Sequence, residues 1–226
     1  MDIFSDLSII LSTLDNKFLN IVLLSLYVSV FATIVSSIIS IYTASMLVIN
    51  NFCGKNYVLL IVNSLMSLPP VVVGLILYII FSFSGILGFL EILYTPTIMI
   101  VAQFIIVTPI IISLSYKSLQ NRYSELSEYL KSINASSHKT AHTIVQECRY
   151  DLLIIIMTGL GRALSEVGAV IIVGGNIANM TRVMTTSIVL ETSRGDLALA
   201  LSLGVILIIL AIIINMMIFI IKRKYL

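Results

Sequence analysis

The sequence predicts an all-α, polytopic membrane protein with about five transmembrane helices. Its mean hydropathy is +1.11, only 11% of its 226 residues are charged, and it contains five long apolar segments. A soluble domain averages about 25% charged residues, and uninterrupted apolar segments of ~20 residues are typical of membrane spans. The net charge of +2 is too small to indicate a nucleic-acid partner. We therefore expect membrane lipid to surround the chain.

The five apolar segments run over residues 19–48, 57–83, 96–116, 152–173 and 197–221. At about 1.5 Å per residue, each reaches the ~30 Å thickness of the hydrocarbon core. The first two are longer than this, which predicts a tilt or a break. Pro69 and Pro70 predict a break in the second, because proline removes a backbone donor and clashes with the preceding turn. Pro109 is a candidate kink in the third.

The distribution of basic residues predicts the orientation of the chain in a plasma (inner) membrane. With five spans the termini lie on opposite sides, and nine of the 13 lysines and arginines share the side of the C-terminus. These nine are Lys55, Lys117, Arg122, Lys131, Lys139, Arg149, Lys222, Arg223 and Lys224. Lys17, Arg182 and Arg194 fall on the other side. We therefore expect the N-terminus outside and the C-terminus in the cytoplasm.

We expect residues 1–18 to form an N-terminal segment on the outer surface and residues 19–226 to form a single transmembrane domain. Apolar residues recur at helical spacing before the first span, with aspartates between them. This pattern is typical of a surface helix, and a polar tail is the alternative. Because five spans cannot divide into two equal inverted halves, the repeat-built secondary transporters are disfavoured. The chain is also small for a complete pathway, so we expect an oligomer.

The longest polar stretch, between the third and fourth spans, predicts a pair of short amphipathic helices on the cytoplasmic face, over residues 123–148. The first apolar stripe consists of Leu126, Tyr129, Leu130 and Ile133, and the second of Ala141, Ile144, Val145 and Cys148. Asn134 stands between them and tolerates the left-handed conformation that ends a helix. Ser136 or Ser137 could cap the second helix.

This loop resembles the cytoplasmic EAA loop of ABC importer permeases. Glu128 matches the glutamate of that pattern, Asn134 stands at its glycine, and Ile144 follows ten positions later at its isoleucine. Tyr129 and Leu130 depart from it by replacing the two alanines. In that family the helix pair docks into a groove of the ATPase subunit. The resemblance implies an ATPase-coupling role for Glu128, Asn134, Ala135, Ser136 and Ile144.

The fourth span carries an unusual set of polar and small residues. Gly161, Ser165 and Ala169 lie four apart, which predicts a face that another helix can approach closely. Arg162 and Glu166 are also four apart and can pair along one helix. Ionisable groups inside a span are costly and mark an aqueous path or an interface. An internal structural ion pair is the alternative. With Pro69 and Pro70, Arg162, Ser165 and Glu166 are the pore or gate candidates.

Residues 161–204 closely resemble permeases of tungstate and molybdate importers. The stretches 174–177, 181–186 and 191–196 are most similar to the tungstate branch, and 68–74 is similar to another segment of these oxyanion permeases. In the outer loop, six residues could contact a tetrahedral dianion or the protein that delivers it: Asn176, Asn179, Thr181, Arg182, Thr185 and Thr186. An ordinary polar loop is the alternative reading.

The resemblance implies a type I ABC importer permease that forms a homodimer and imports tungstate. Two ATP-binding subunits on the cytoplasmic side and an extracytoplasmic oxyanion-binding protein would be its partners. Molybdate or another tetrahedral oxyanion is the alternative cargo. The resemblance also implies that this subunit is not catalytic and binds no cofactor, because ATP and Mg²⁺ belong to the partner ATPase.

Other functional classes fit the sequence less well. The single Gly-Lys pair, Gly54-Lys55, lacks the upstream glycine of a phosphate-binding loop, so an ATPase site is not expected. His138 and His142 have the spacing of helical zinc ligands, but Lys139 stands where the catalytic glutamate of His-Glu-x-x-His would be. We therefore predict surface histidines and no metal site. A self-contained channel or secondary carrier remains an alternative that would not need the loop helices.

Overall fold

The computed structural model of the protein describes residues 16–225, in which the chain forms nine α-helices, one 3₁₀ turn and no β-strand. The helices are α1 (Asn16–Ile49), α2 (Lys55–Leu65), α3 (Pro70–Phe81), α4 (Pro96–Ser132), α5 (Ser137–Glu147), α6 (Arg149–Leu164), α7 (Gly168–Gly174), α8 (Met184–Arg194) and α9 (Leu197–Tyr225). The 3₁₀ turn covers Gly88–Leu90. Most of the expected N-terminal segment, up to residue 15, lies outside the described residues.

The helices supply up to five membrane spans. Three of them, α1, α4 and α9, are individually long and apolar enough to cross a bilayer. Two further pairs pass the same test together, although α2 and α3 meet at 97° and α6 and α7 at 58°. The all-α fold class and about five spans are therefore confirmed. Helix α1 is unbroken over 34 residues, so its excess length is not explained by a break.

The bend in the second span lies where the two prolines predicted it. Pro69 holds an extended backbone (ψ 121°) at the N-cap of α3, and Pro70 is the first residue of that helix. Proline suits the first turn, since its missing N–H would have no helical partner there. The preceding helix, α2, ends at Leu65.

Helix α4 corrects the prediction for the cytoplasmic loop. It continues without interruption for 37 residues, through Pro109, so the first loop helix is the end of the third span and not a separate element. No proline or glycine follows Pro109 before Ser132 to end the helix. Its extension is anchored by Leu119 and Leu130, which are buried in the same core as α5 and α6.

Helix α4 lies at the centre of the fold and packs against α1, α6 and α7. The α1 face toward it is rich in small hydroxyl side chains, which allow the two backbones to approach closely. On that face Ser36 Oγ lies 3.0 Å from Thr108 Oγ1, and Ser40 Oγ donates to the Thr108 carbonyl at 3.2 Å. This packing gives the bent spans a rigid support.

Candidate functional site

The fourth span is broken at residues 165–167, contrary to the prediction of one continuous helix. Helix α6 ends at Leu164 and α7 begins at Gly168. No proline causes the bend. Instead, side chains from other helices donate hydrogen bonds to backbone carbonyls at the break. Gln103 Nε2 of α4 donates to the Ala163 carbonyl at 3.1 Å, and Thr185 Oγ1 of α8 donates to the Glu166 carbonyl at 2.8 Å. Tertiary hydrogen bonds therefore stabilise the break.

Arg162 and Glu166 form the expected ion pair across this break. Arg162 Nη1 lies 2.8 Å from Glu166 Oε2, and the arginine side chain is 36% exposed whereas the glutamate is 3% exposed. The second oxygen, Glu166 Oε1, accepts the Ala169 N–H at 3.3 Å. The carboxylate lies at the start of α7. It neutralises the arginine and also accepts a backbone N–H from the first turn of that helix.

Of the predicted small-residue face, Ala169 is the member that packs against another helix within the described residues. A Cβ at Gly161 would meet nothing within 4 Å, and Ser165 is exposed. The close approach occurs at Gly74 of α3, where a Cβ would lie 2.8 Å from Cα of Ala169. Within residues 16–225 no helix approaches Gly161 closely, so a close approach at Gly161 and Ser165 stays a prediction for a contact with another chain.

The two bent spans meet at their breaks. Helices α3 and α7 pack together, and a Cβ at Gly168 would lie 2.6 Å from the Val71 side chain, next to Pro70. Pro69 is exposed beside this contact. The structure thus brings the Pro69-Pro70 break and the Glu166 break together, although about a hundred residues separate them in sequence.

A closed polar cavity of about 10 Å³ adjoins the Glu166 break. Its polar lining consists of Ser25, Ser29, Gln103, Glu166 and Thr185. Gln103 Oε1 has no hydrogen-bond partner among the described residues. Sequence reasoning missed Gln103, although a glutamine within an apolar segment is itself a signal of a buried polar contact.

Four of the six outer-loop candidates already have hydrogen-bond partners, three of them within the loop and Thr185 at the Glu166 carbonyl. Thr181 is buried, donates to the Gly174 carbonyl and accepts the Ile177 N–H. Asn176 has a positive φ of 50°. Its Nδ2 donates to the Thr186 carbonyl, and its Oδ1 accepts a hydrogen bond from the Thr186 hydroxyl. Thr185 and Thr186 are buried, and Thr186 Oγ1 also accepts the Val183 N–H at 3.2 Å. In this conformation the three threonine hydroxyls are engaged, whereas Asn176 Nδ2 uses one of its two N–H groups.

Asn179 and Arg182 instead line a cavity of about 610 Å³ between the outer loop and the start of α1. Asn179 is exposed, and Arg182 is half-buried. Arg182 Nη1 lies 3.8 Å from Glu191 Oε1, and Nη2 donates to the Asn176 carbonyl at 3.5 Å. Glu191 is also paired with Arg194 at 3.4 Å. Arg182 is therefore only weakly held.

At the end that the sequence predicts to be cytoplasmic, α4 and α5 form a helix–turn–helix. Asn134 takes the expected left-handed conformation (φ 49°), and the Ala135 N–H donates to the Leu130 carbonyl at 3.0 Å, as in a Schellman motif. Ser136 occupies the N-cap of α5, but its side chain makes no capping hydrogen bond. Its carbonyl accepts the Thr140 N–H at 2.9 Å instead.

The helix pair has one buried face and one exposed face. Ile144 is buried in the core with Leu130 and Cys148, which confirms the apolar stripe of α5. Glu128 is exposed, and so are Tyr129 and Ile133, which were expected to be part of a buried stripe. The exposed side is an apolar and acidic surface.

The histidines of α5 lie on its exposed side, as predicted. His138 and His142 are both exposed, and within residues 16–225 no cluster of three metal-binding side chains occurs. The helix is joined to α4 by Arg122, which pairs with Glu125 at 2.7 Å and Glu147 at 2.9 Å. These exposed pairs orient the helices but add little stability.

The sequence is similar to permeases of known transport systems over nearly its whole length. It is 40% identical over 215 residues to the tungstate uptake system permease protein TupB of Peptoclostridium acidaminophilum, covering 95% of this chain and 94% of that protein. TupB of Campylobacter jejuni is 38% identical, covering 75% and 71%. A probable anion ABC transporter permease of Haloferax volcanii is 35% identical, covering 87% of each chain.

Molybdenum and sulfate transport permeases match at lower identity, between 24% and 29%. No protein-family model matches the chain. The chain therefore belongs to the tungstate uptake permeases of the ABC transporter permease family.

Proposed function

We propose that this protein is the membrane-spanning permease subunit of an ATP-driven, binding-protein-dependent importer of tungstate. The observation that carries the proposal is the 40% identity to a tungstate uptake permease over 95% of the chain. Molybdate is the second candidate cargo, and relatives named for its transport are only 26% identical. The same tetrahedral chemistry would serve both anions.

The gated path is assigned to the two breaks. A homodimer would bring two copies of the open face at Gly161, Ser165 and Arg162 toward a two-fold axis. Arg162 would offer a positive charge to the dianion there, while Glu166 limits how tightly the anion is held. A bend stabilised by a few tertiary hydrogen bonds can have two arrangements, which alternating access requires.

The helix pair α4–α5 is assigned to coupling. Its exposed surface at Glu128, Tyr129 and Ile133 suits a groove on an ATP-binding subunit, because it offers apolar area beside a charge. The buried Ile144 would instead transmit the movement into the membrane core. ATP and Mg²⁺ would be bound by that subunit, so this chain would have no catalytic role and would bind no cofactor.

The outer loop is assigned to the docking of an extracytoplasmic binding protein. Asn179 and Arg182 are the candidates for direct contact, since they face the outer cavity. Asn176, Thr181 and Thr186 would hold the loop in shape, whereas Thr185 would hold the break at Glu166.

The orientation, N-terminus outside and C-terminus in the cytoplasm, can be tested with the two cysteines. Cys53 is exposed and Cys148 is buried, and burial raises the pKa of the Cys148 thiol above its usual range. We expect an impermeant maleimide to label Cys53 in inside-out vesicles only. Cys148 should react after denaturation or at a higher pH, because the reactive thiolate is scarce at neutral pH. Labelling of Cys53 in right-side-out vesicles would show the opposite topology. Cys53→Ser is the control.

Transport by the reconstituted complex tests both cargo and coupling. Proteoliposomes that contain this chain together with its partner ATP-binding subunit and binding protein should take up tungstate only when ATP is supplied. Glu128→Ala with Asn134→Val should reduce uptake at least about tenfold while membrane insertion is retained, because the docking surface and its turn are lost. Asn134→Gly is the matched control, since glycine keeps the positive φ.

Two results would contradict the proposal. Uptake without any associated ATP-binding subunit would favour a channel or secondary carrier. Uptake of molybdate at far lower concentration than tungstate would reassign the cargo, and a calorimetric titration of the binding protein with both anions would separate the two.

A further inference from the structure

The cavity of about 610 Å³ at the start of α1 has a polar half and an apolar half. The polar half presents Lys17, Asn20, Asn179 and Arg182, and among residues 16–225 no acidic side chain lines the cavity. The apolar half consists of apolar residues of α1, including Leu23 and Tyr27, together with Ala178 and Met180 of the outer loop. A cavity with two cations and no carboxylate favours an anionic occupant.

The two cations have donor capacity to spare. Arg182 Nε is buried and has no hydrogen-bond partner among the described residues, while both its terminal nitrogens make only long contacts. Its acidic neighbour, Glu191, has a second cation in Arg194 and does not depend on Arg182. Lys17 is exposed and forms no ion pair within residues 16–225. A phosphate group in the cavity would accept charge-assisted hydrogen bonds from Lys17 and from the terminal nitrogens of Arg182.

The apolar half continues beyond the cavity along α1. Leu23, Tyr27, Phe31, Ile34 and Ile38 are all exposed and recur every three or four residues, which places them on one face of the helix. The rings of Tyr27 and Phe31 lie 6.1 Å apart. An apolar stripe that leads away from a cationic cavity at the end of a span matches a phospholipid, with its phosphate in the cavity and an acyl chain on the stripe.

We propose that this cavity binds the headgroup of an anionic phospholipid and ties the start of α1 to the outer loop. A free tetrahedral oxyanion would use only the polar half and leave most of the 610 Å³ unfilled. The lipid accounts for both halves. This inference does not depend on the transported anion, since it rests on the cavity and on the membrane environment of the family.

Native mass spectrometry of the full chain, with the subunits that co-purify, tests the proposal. We expect one phosphatidylglycerol to be retained per copy of the chain from mixed micelles, and phosphatidylcholine to be retained far less. Arg182→Ala should weaken retention about tenfold, and Lys17→Ala about fivefold, in line with one interfacial charge each. Arg182→Lys should restore part of it. Arg194→Ala, outside the cavity, should weaken retention less than Arg182→Ala, because it leaves Glu191 to pair with Arg182 alone.

Three outcomes would overturn the proposal. The first is equal phosphatidylglycerol retention in Lys17→Ala, which should fold normally because its side chain is exposed. The second is displacement of the lipid, or equal thermal protection, by millimolar sodium tungstate or phosphate, which would assign the cavity to a free oxyanion. The third is a change of oligomeric state in Lys17→Ala or Arg182→Ala, which would make this surface a contact between two copies.

Discussion

Gly74→Ala is expected to destabilise the membrane domain by about 2 kcal/mol. The added methyl group would lie 2.8 Å from Cα and 3.1 Å from the carbonyl oxygen of Ala169, so it meets the backbone of α7. A backbone cannot rotate away as a side chain can, and overpacking of this kind costs about 1–3 kcal/mol. Alanine also has a helix propensity about 1 kcal/mol more favourable than that of glycine, which reduces the net cost of the substitution.

Thermal unfolding of the purified chain in detergent measures this effect. For a chain of this size we expect the apparent Tm to fall by roughly 4–8 °C. Gly204→Ala is the matched control, because that glycine also lies in a helix but has nothing within 4 Å of its would-be Cβ. Its Tm should stay the same or rise. Equal Tm values for the two variants would show that α3 and α7 do not touch at Gly74.

Gly161→Ala separates the fold from the assembly. Its Cβ position is also open, so the isolated chain should keep its Tm. If this face lies in the proposed homodimer, the variant should still weaken dimerisation, because small residues allow helices of two copies to approach closely.

The parts of the fold that depend on local chemistry were predictable from the sequence. The bend at Pro69-Pro70 follows from the proline ring itself, and the turn at Asn134 follows from the tolerance of asparagine for positive φ. The five spans follow from segment length and hydropathy, which the bilayer dictates.

The bend after Leu164 could not be predicted in the same way. It contains no proline, and its carbonyls are held by Gln103 and Thr185, which lie in other helices. The roles of the outer-loop threonines were hidden for the same reason, since Thr181 bonds a carbonyl that only the folded loop brings near. Long-range hydrogen bonds decide both features, and the local pattern of residues does not record them.

Arg162→Ala is expected to be more damaging than Glu166→Gln, although both break the same ion pair. Removing the arginine leaves a buried carboxylate whose one remaining contact is the Ala169 N–H. Breaking a fully buried pair costs about 3–5 kcal/mol, and we expect about 2–3 kcal/mol here because Arg162 is 36% exposed and water can replace part of it. Glu166→Gln leaves only a partly solvated arginine, so its cost should be about 1 kcal/mol.

A double-mutant cycle measures this asymmetry in the reconstituted complex. Tm and ATP-dependent uptake should fall most in Arg162→Ala, and Arg162→Ala with Glu166→Gln should recover part of the Tm because no uncompensated charge remains. Uptake should stay low in the double variant if Arg162 also offers its charge to the anion. Recovery of both Tm and uptake would instead mean that the pair only stabilises the bend, and a double variant less stable than Arg162→Ala would contradict the buried carboxylate as the cause.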